Sequence, residues 1–402
     1  MSTWAIPETC GPISTPPSEP EPPPSEPEPP KKMTVRFNSH LTSIPGYTPG
    51  VPKGHTAEDV AGSDLAQLAS NESPFPPLPE VVEAITRAAG AMNRYPDPAA
   101  TRLRRRLADR HEIEPGQISV ANGSCDFLLA AAEALLEPGA EIVYAWPSFS
   151  MYPNMAAMTG AREIQVPLKE DQTHDLEAML DEITAATQIV IVCNPNNPTG
   201  TYIPFAEISD FVSRVPDHVL VIIDEAYIEF QTRDDPALTV DLLKDFSNLV
   251  LLRTFSKTHS LAGLRVGYAM ASPAFNGAVN AVRQPFSVNA LAQAAAVEAL
   301  EHGDQVQRQI EKSIIERVRI ESEVRDLGLT TADTEANFSW ISLGEKGPEI
   351  EDEVVGVLAA AGIVVRPGRL LGGPGWLRVS YGTSEENDRF VAALGEAIEL
   401  HG

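Results

Sequence analysis

A mostly parallel β-sheet sandwiched by helices, followed by a smaller α+β domain, is the architecture this sequence predicts. The first observation behind it is a set of three short, branched apolar runs, at 188–193, 219–223 and 249–252. Each is bounded by breakers, the pattern of strands buried on both faces. The second is that each run exits into polar residues: N-P-N-N-P-T-G at 194–200, D-E-A-Y at 224–227 and R-T-F-S-K at 253–257. The third is a change of pattern toward the C-terminus, where helical stretches near 304–327 and 349–361 alternate with strands at 337–343, 363–366 and 376–380. With 402 residues and 43% hydrophobic composition, the chain has room for two cores.

In chain order, residues 1–32 hold eleven prolines in repeats such as P-E-P-P-P-S-E-P-E-P-P. That composition cannot bury a core, and a disordered, extended tail is expected. Residues 33–75 read as a loop-rich arm, a surface segment by composition alone. Apolar residues at helical spacing after a proline start predict a helix over 79–92. The segment I-S-V at 118–120, a glycine turn and an apolar stretch to 136 read as strand, turn and helix. Another strand at 141–145 leaves through W-P-S-F at 146–149, and 264–271 is a further strand. The Ala-rich helix over 288–300 is expected to cross from a large domain (76–286) into a small one (287–402).

In open α/β sheets ligands bind at the carboxyl ends of the strands, which puts the three polar clusters on one edge. Each has an ordinary reading: a helix cap for Asp224, a surface pair for Ser256 and Lys257, a turn for 194–200. Together they assemble the groups a pyridoxal phosphate site needs. A lysine amine forms a Schiff base with an aldehyde, which makes Lys257 the attachment and proton-transfer candidate. A carboxylate beside a pyridine nitrogen keeps that nitrogen protonated, a role for Asp224. The phenol of Tyr227 and the amide of Asn197 suit the ring's phenolate oxygen. Arg265 offers a bidentate fork to a phosphate, with Thr254 and Ser256 as hydroxyl donors.

These motifs, with L-A-S-N-E at 68–72, N-R-Y-P-D at 93–97, S-K-T-H-S-L-A-G-L-R at 256–265, N-F-S-W at 337–340 and L-R-V-S-Y-G at 377–382, resemble the class I/II, fold-type I pyridoxal-phosphate aminotransferases. Within them the histidinol-phosphate and aromatic amino acid aminotransferase branch is the most similar, from about residue 35 to the C-terminus. The resemblance implies that the turn at Gly123, Ser124 and Cys125 takes the cofactor phosphate and that Phe149 stacks on the pyridine. It implies that Tyr95 reaches the cofactor of the second subunit in a homodimer. It also implies that Asn71, Phe75, Arg366 and Arg378 line the substrate site, with Arg378 clamping a carboxylate or phosphate. W-P-S-F and N-F-S-W lean toward the aromatic branch, and Phe75, where some relatives carry tyrosine, loses a contact to a substrate phosphate. His259 stands where an aromatic or alanine-like residue is usual.

The reaction implied is transamination between an aromatic amino acid, or histidinol phosphate, and 2-oxoglutarate. A decarboxylase of phosphorylated amino acids and a regulator that retains the fold are the alternatives. A formal charge of −26 argues against nucleic acid and anionic membrane as partners. No apolar run approaches the roughly 18 residues of a membrane span, and no export signal opens the chain. Cys10, Cys125 and Cys193 have no paired spacing and the histidines no metal spacing, so free thiols in the cytoplasm and no metal are expected.

Overall fold

The run at 188–193 becomes a strand because its side chains alternate between two apolar layers. Val190 and Val192 enter one core and Ile189, Ile191 and Cys193 the other, none more than 2% exposed. This is seen in a computed structural model, which describes residues 64–401. The tail expected over 1–32 and the arm before residue 64 lie outside the described residues.

After a short strand β1 (Ala66–Gln67), seven strands form the central sheet: β2 (Ile118–Ala121), β3 (Glu141–Trp146), β4 (Arg162–Pro167), β5 (Thr187–Cys193), β6 (Leu220–Asp224), β7 (Leu249–Thr254) and β8 (Gly267–Ala271). Their spatial order is β2-β8-β7-β6-β5-β3-β4. The neighbours from β4 through β7 are parallel, and β8 runs antiparallel to both β7 and β2. β8 turns back because the link from Phe255 to Val266 contains only a 3₁₀ turn at Ala262–Leu264, and a parallel return needs a full crossover, usually a helix.

The helix expected over 79–92 spans Pro79–Ala89 and closes on Gly90. The Ala-rich helix, Ala290–Glu301, does not leave the large core. Ala292, Ala295, Ala296 and Ala299 are at most 1% exposed and belong to the core on one face of the central sheet, with Val81 of Pro79–Ala89. Small side chains let the two helices approach closely, so the expected break at 287 is not where the cores divide. They divide inside the next helix, Gly303–Asp326: its Val306 and Ile310 pack in the large core, its Ile320 and Val324 in the small one. Between them Arg317 is buried and paired, Nη2 to Glu335 Oε2 at 3.0 Å and Nη1 donating to the Phe230 carbonyl at 3.1 Å.

The small core covers a four-stranded sheet of β9 (Thr330–Thr331), β10 (Phe338–Ser342), β12 (Arg366–Pro367) and β13 (Trp376–Ser380), in the order β12-β13-β10-β9. β1 pairs in parallel with β11 (Ile363–Val364). Residues 66–71 are therefore not the surface loop that composition suggested: Leu68, Ala69 and Asn71 are each 1% exposed. Among the described residues, no helix is long and apolar enough to cross a membrane.

Candidate active site

The carboxyl ends of β2, β3, β5, β6 and β7 deliver Ser124, Cys125, Phe149, Asn197, Asp224, Tyr227, Thr254, Ser256 and Lys257 to one cavity of about 380 Å³. Arg265 joins them from the link between β7 and β8. The helix Ser124–Leu135 begins right after β2, with Gly123 at φ 82° as its cap. A Cβ on Gly123 would stand 2.5 Å from the Arg265 guanidinium, and one on Gly267 would stand 2.6 Å from the Ser124 amide. Two glycines thus let an arginine and the free amides of a helix N-terminus converge, the geometry of a phosphate cradle. Thr254 Oγ1 donates to Ser256 Oγ at 2.9 Å, which lines both hydroxyls along the same wall. The Cys125 thiol is pushed up to about 11, by burial first and then by Asp224, so it stays neutral and adds no negative charge to the cradle.

Asp224 is 3% exposed. Its Oδ2 accepts from Tyr152 Oη at 3.0 Å, while its Oδ1 is buried without a hydrogen-bond partner. Burial raises its pKa to about 6, against the opposing bond from Tyr152. A buried carboxylate oxygen with no donor is costly, and a protonated pyridine nitrogen would satisfy it. The donor set therefore fits pyridoxal phosphate at both the ring end and the phosphate end.

Lys257 Nζ donates to the Ser70 carbonyl at 3.2 Å and lies 5.7 Å from the centre of the Tyr227 ring. Burial first, then the Arg378 and Arg265 charges, lower its pKa to about 8. A depressed lysine is neutral above that value. The rate at which cofactor-free protein takes up the aldehyde should therefore climb through about pH 8 and level off about one unit above it. A rate still climbing steeply at about pH 10 in stopped-flow absorbance would show an ordinary lysine.

The Tyr227 hydroxyl accepts from Asn71 Nδ2 at 3.0 Å, and its ring packs edge-on against Phe338. Asn71 holds a left-handed φ of 52°, fixed because its backbone N–H donates to Ser380 Oγ and its carbonyl accepts from Asn337 Nδ2. The segment 68–72 thereby ties the small sheet to the phenol. Arg378 of β13 donates from Nη1 to Asn197 Oδ1 and from Nη2 to the Ala69 carbonyl, both at 2.6 Å. Arg366 of β12 is its direct cross-strand partner. Both arginines line a smaller cavity of about 140 Å³ that shares Ser70, Phe149, Asn197, Tyr227 and Lys257 with the larger one.

Two of the expected residues, Phe75 and Tyr95, line neither cavity. Phe75 sits under Lys312, 5.7 Å from its ring centre, because the chain has turned away after Asn71. Tyr95 is 83% exposed and stacks on Phe286 at 4.7 Å, away from this chain's own site. His259 faces away from the Lys257 cavity, its ring 4.7 Å from that of Phe255. Sequence reasoning missed Tyr152, which holds Asp224 from 72 residues away, and the Ser70 carbonyl. Neither carries a signal in spacing or residue type.

The family model for aminotransferase class I and II matches residues 63–394. An aromatic amino acid aminotransferase of Thermobifida fusca is 44% identical over 359 residues, which cover 88% of this chain and 95% of that protein. A histidinol-phosphate aminotransferase of Akkermansia muciniphila is 41% identical over 363 residues, 90% of this chain and 98% of that protein. The crystal structure of histidinol-phosphate aminotransferase from Sinorhizobium meliloti in complex with pyridoxal-5'-phosphate has a TM-score of 0.83 at 29% identity, covering 92% of this chain and all of that one. The fold is the fold-type I architecture these enzymes share. The chain belongs to the class I and II aminotransferases, in the group of histidinol-phosphate and aromatic amino acid aminotransferases.

Proposed function

We infer that the protein moves an amino group between an aromatic amino acid and 2-oxoglutarate. The observation that carries this reading is the direct pairing of Arg366 with Arg378 beside Lys257. Two guanidinium-bearing side chains lining one small cavity with Lys257 suit a carboxylate, and every substrate of such a reaction brings one. Phe149 and Leu371 line the same small cavity and give an aromatic ring an apolar wall.

Pyridoxal phosphate, when bound, supplies the electron sink that makes the donor's α-hydrogen acidic. Asp224 Oδ1 would hold a protonated ring nitrogen. Gly123, Ser124, Cys125, Thr254, Ser256 and Arg265 would take the phosphate, and Tyr227 and Asn197 would donate to the ring oxygen. Phe149 would lie against the ring face. Lys257 Nζ removes the α-proton and returns it one carbon away. Arg378, assisted by Arg366, fixes the substrate's anionic end, with Asn71 holding Tyr227 in place. The exposed Tyr95 suits a homodimer in which it reaches the cofactor phosphate of a second copy, and Met92, 64% exposed, lies on the same segment.

Histidinol phosphate is the second reading, favoured by the Akkermansia muciniphila relative, with its phosphate on the arginine pair. Phenylalanine and histidinol phosphate added separately, without keto acid, separate the two. The aromatic reading expects phenylalanine to bleach the cofactor's visible band and to release a stoichiometric keto acid without carbon dioxide. Bleaching by histidinol phosphate alone would move the donor to the second reading, and no change with either would overturn both.

A further inference from the structure

A second cavity, of about 440 Å³, lies behind the segment that carries Lys257. Ser256 and Lys257 line the catalytic cavity, whereas Phe255, Thr258 and His259 line this one. Most of its polar groups are spoken for. Arg253 is paired with Glu225 at 2.8 Å and donates to the Pro236 carbonyl at 2.6 Å. His111 Nε2 is 3.0 Å from Tyr268 Oη, and His259 Nδ1 is 3.0 Å from Thr258 Oγ1. Burial first, with Arg110 adding for both and Arg253 for His111, pushes the two histidines down to about 3, so both are neutral near pH 7.

Two charges in the lining are left over. The side chains of Arg110, in the last turn of the helix Thr101–His111, and Glu229, in the 3₁₀ turn Ile228–Phe230, make no hydrogen bond or ion pair to another side chain among the described residues. Burial raises the Glu229 carboxyl to about 7, with Arg253 and Arg110 opposing. Leu300, Val306 and Ile310 supply an apolar wall. One unpaired cation, one unpaired carboxyl and an apolar wall in one cavity match one small-molecule class. A simple anion would meet Glu229 and Asp235, and a simple cation would leave Arg110 unused.

We propose that this cavity is a second, non-catalytic site for a free α-amino acid with an apolar side chain, its carboxylate on Arg110 and its ammonium on Glu229. The ligand rests against the same segment that holds Lys257, so occupancy is positioned to alter turnover. This makes it an effector site, independent of which donor the catalytic site uses.

The test uses the holoenzyme after borohydride has fixed the cofactor to its lysine, so that no added amino acid can react. L-Phenylalanine and L-leucine are titrated calorimetrically into it and into the likewise reduced Arg110→Ala and Glu229→Gln variants. At least one should bind, with each substitution weakening it by about tenfold or more, the size of a lost charge-assisted hydrogen bond. Phenethylamine and 3-phenylpropionate, each lacking one charge, should bind weakly to the same degree. Unreduced variants should keep their turnover without effector, which shows that they fold. No binding, or equal binding to wild type and both variants, would overturn the proposal; the latter places the ligand at the catalytic arginines. A wrong donor assignment would leave the expected pattern intact.

Discussion

Replacing Lys257 by alanine should lower the rate of transamination by at least about 10⁴-fold, because one amine both attaches the cofactor and carries the proton. Binding of the cofactor should largely survive. The Gly123 turn, Arg265 and the unsatisfied Asp224 Oδ1 remain in place, and none of them depends on the lysine side chain for position. The check is a single-turnover experiment on Lys257→Ala, following keto acid release from phenylalanine, with bound cofactor measured after gel filtration. Activity within about tenfold of wild type would remove Lys257 from the chemistry. Loss of cofactor together with activity would show that attachment, not the cradle, does the holding.

Asp224→Asn should push activity and stability in opposite directions. With the cofactor bound, an amide cannot keep the ring nitrogen protonated, and a loss on the order of 10²- to 10³-fold is expected, the size seen when a charge-stabilising group is removed from a closed site. Without the cofactor the same change should stabilise the fold. The carboxyl titrates near 3.8 when unfolded and at about 6 in the folded protein. A raised acid costs nothing below its unfolded value. The cost grows as pH climbs from 3.8 to about 6 and is complete above that, at about 3 kcal/mol. Urea midpoints of the two cofactor-free proteins should therefore differ at about pH 7.5, with the variant higher, and converge at about pH 4. A variant less stable than wild type at the higher pH would mean that Tyr152 and the local backbone already satisfy the carboxylate.

The central sheet was legible because its strands are buried on both faces. Val190, Val192, Ile189 and Ile191 are all apolar whichever way they point, so a run of branched residues could be read without knowing the packing. The site followed from it, since Asp224 and Lys257 come at or just beyond strand ends. Relations between distant segments were not legible. The Tyr152–Asp224 bond, the clamp on Asn71 and the Arg366–Arg378 pairing depend on register and on backbone conformations that residue type does not announce. The helix Ala290–Glu301 was misplaced for a related reason. A face of alanines fits any close helix contact, and nothing in it names Pro79–Ala89 as the neighbour.

The helix Gly303–Asp326 has a mechanical consequence. Its 24 residues make a rod about 36 Å long that enters one core and finishes in the other. Deleting a single residue beyond Arg317 would turn everything downstream by about 100° and draw it in by about 1.5 Å. β13 lies downstream, so Arg378 would be carried away from Asn197 although no residue of the site had changed. The number of residues between the two cores is thus a dimension of the active site, one that substitution can leave untouched and a one-codon deletion cannot.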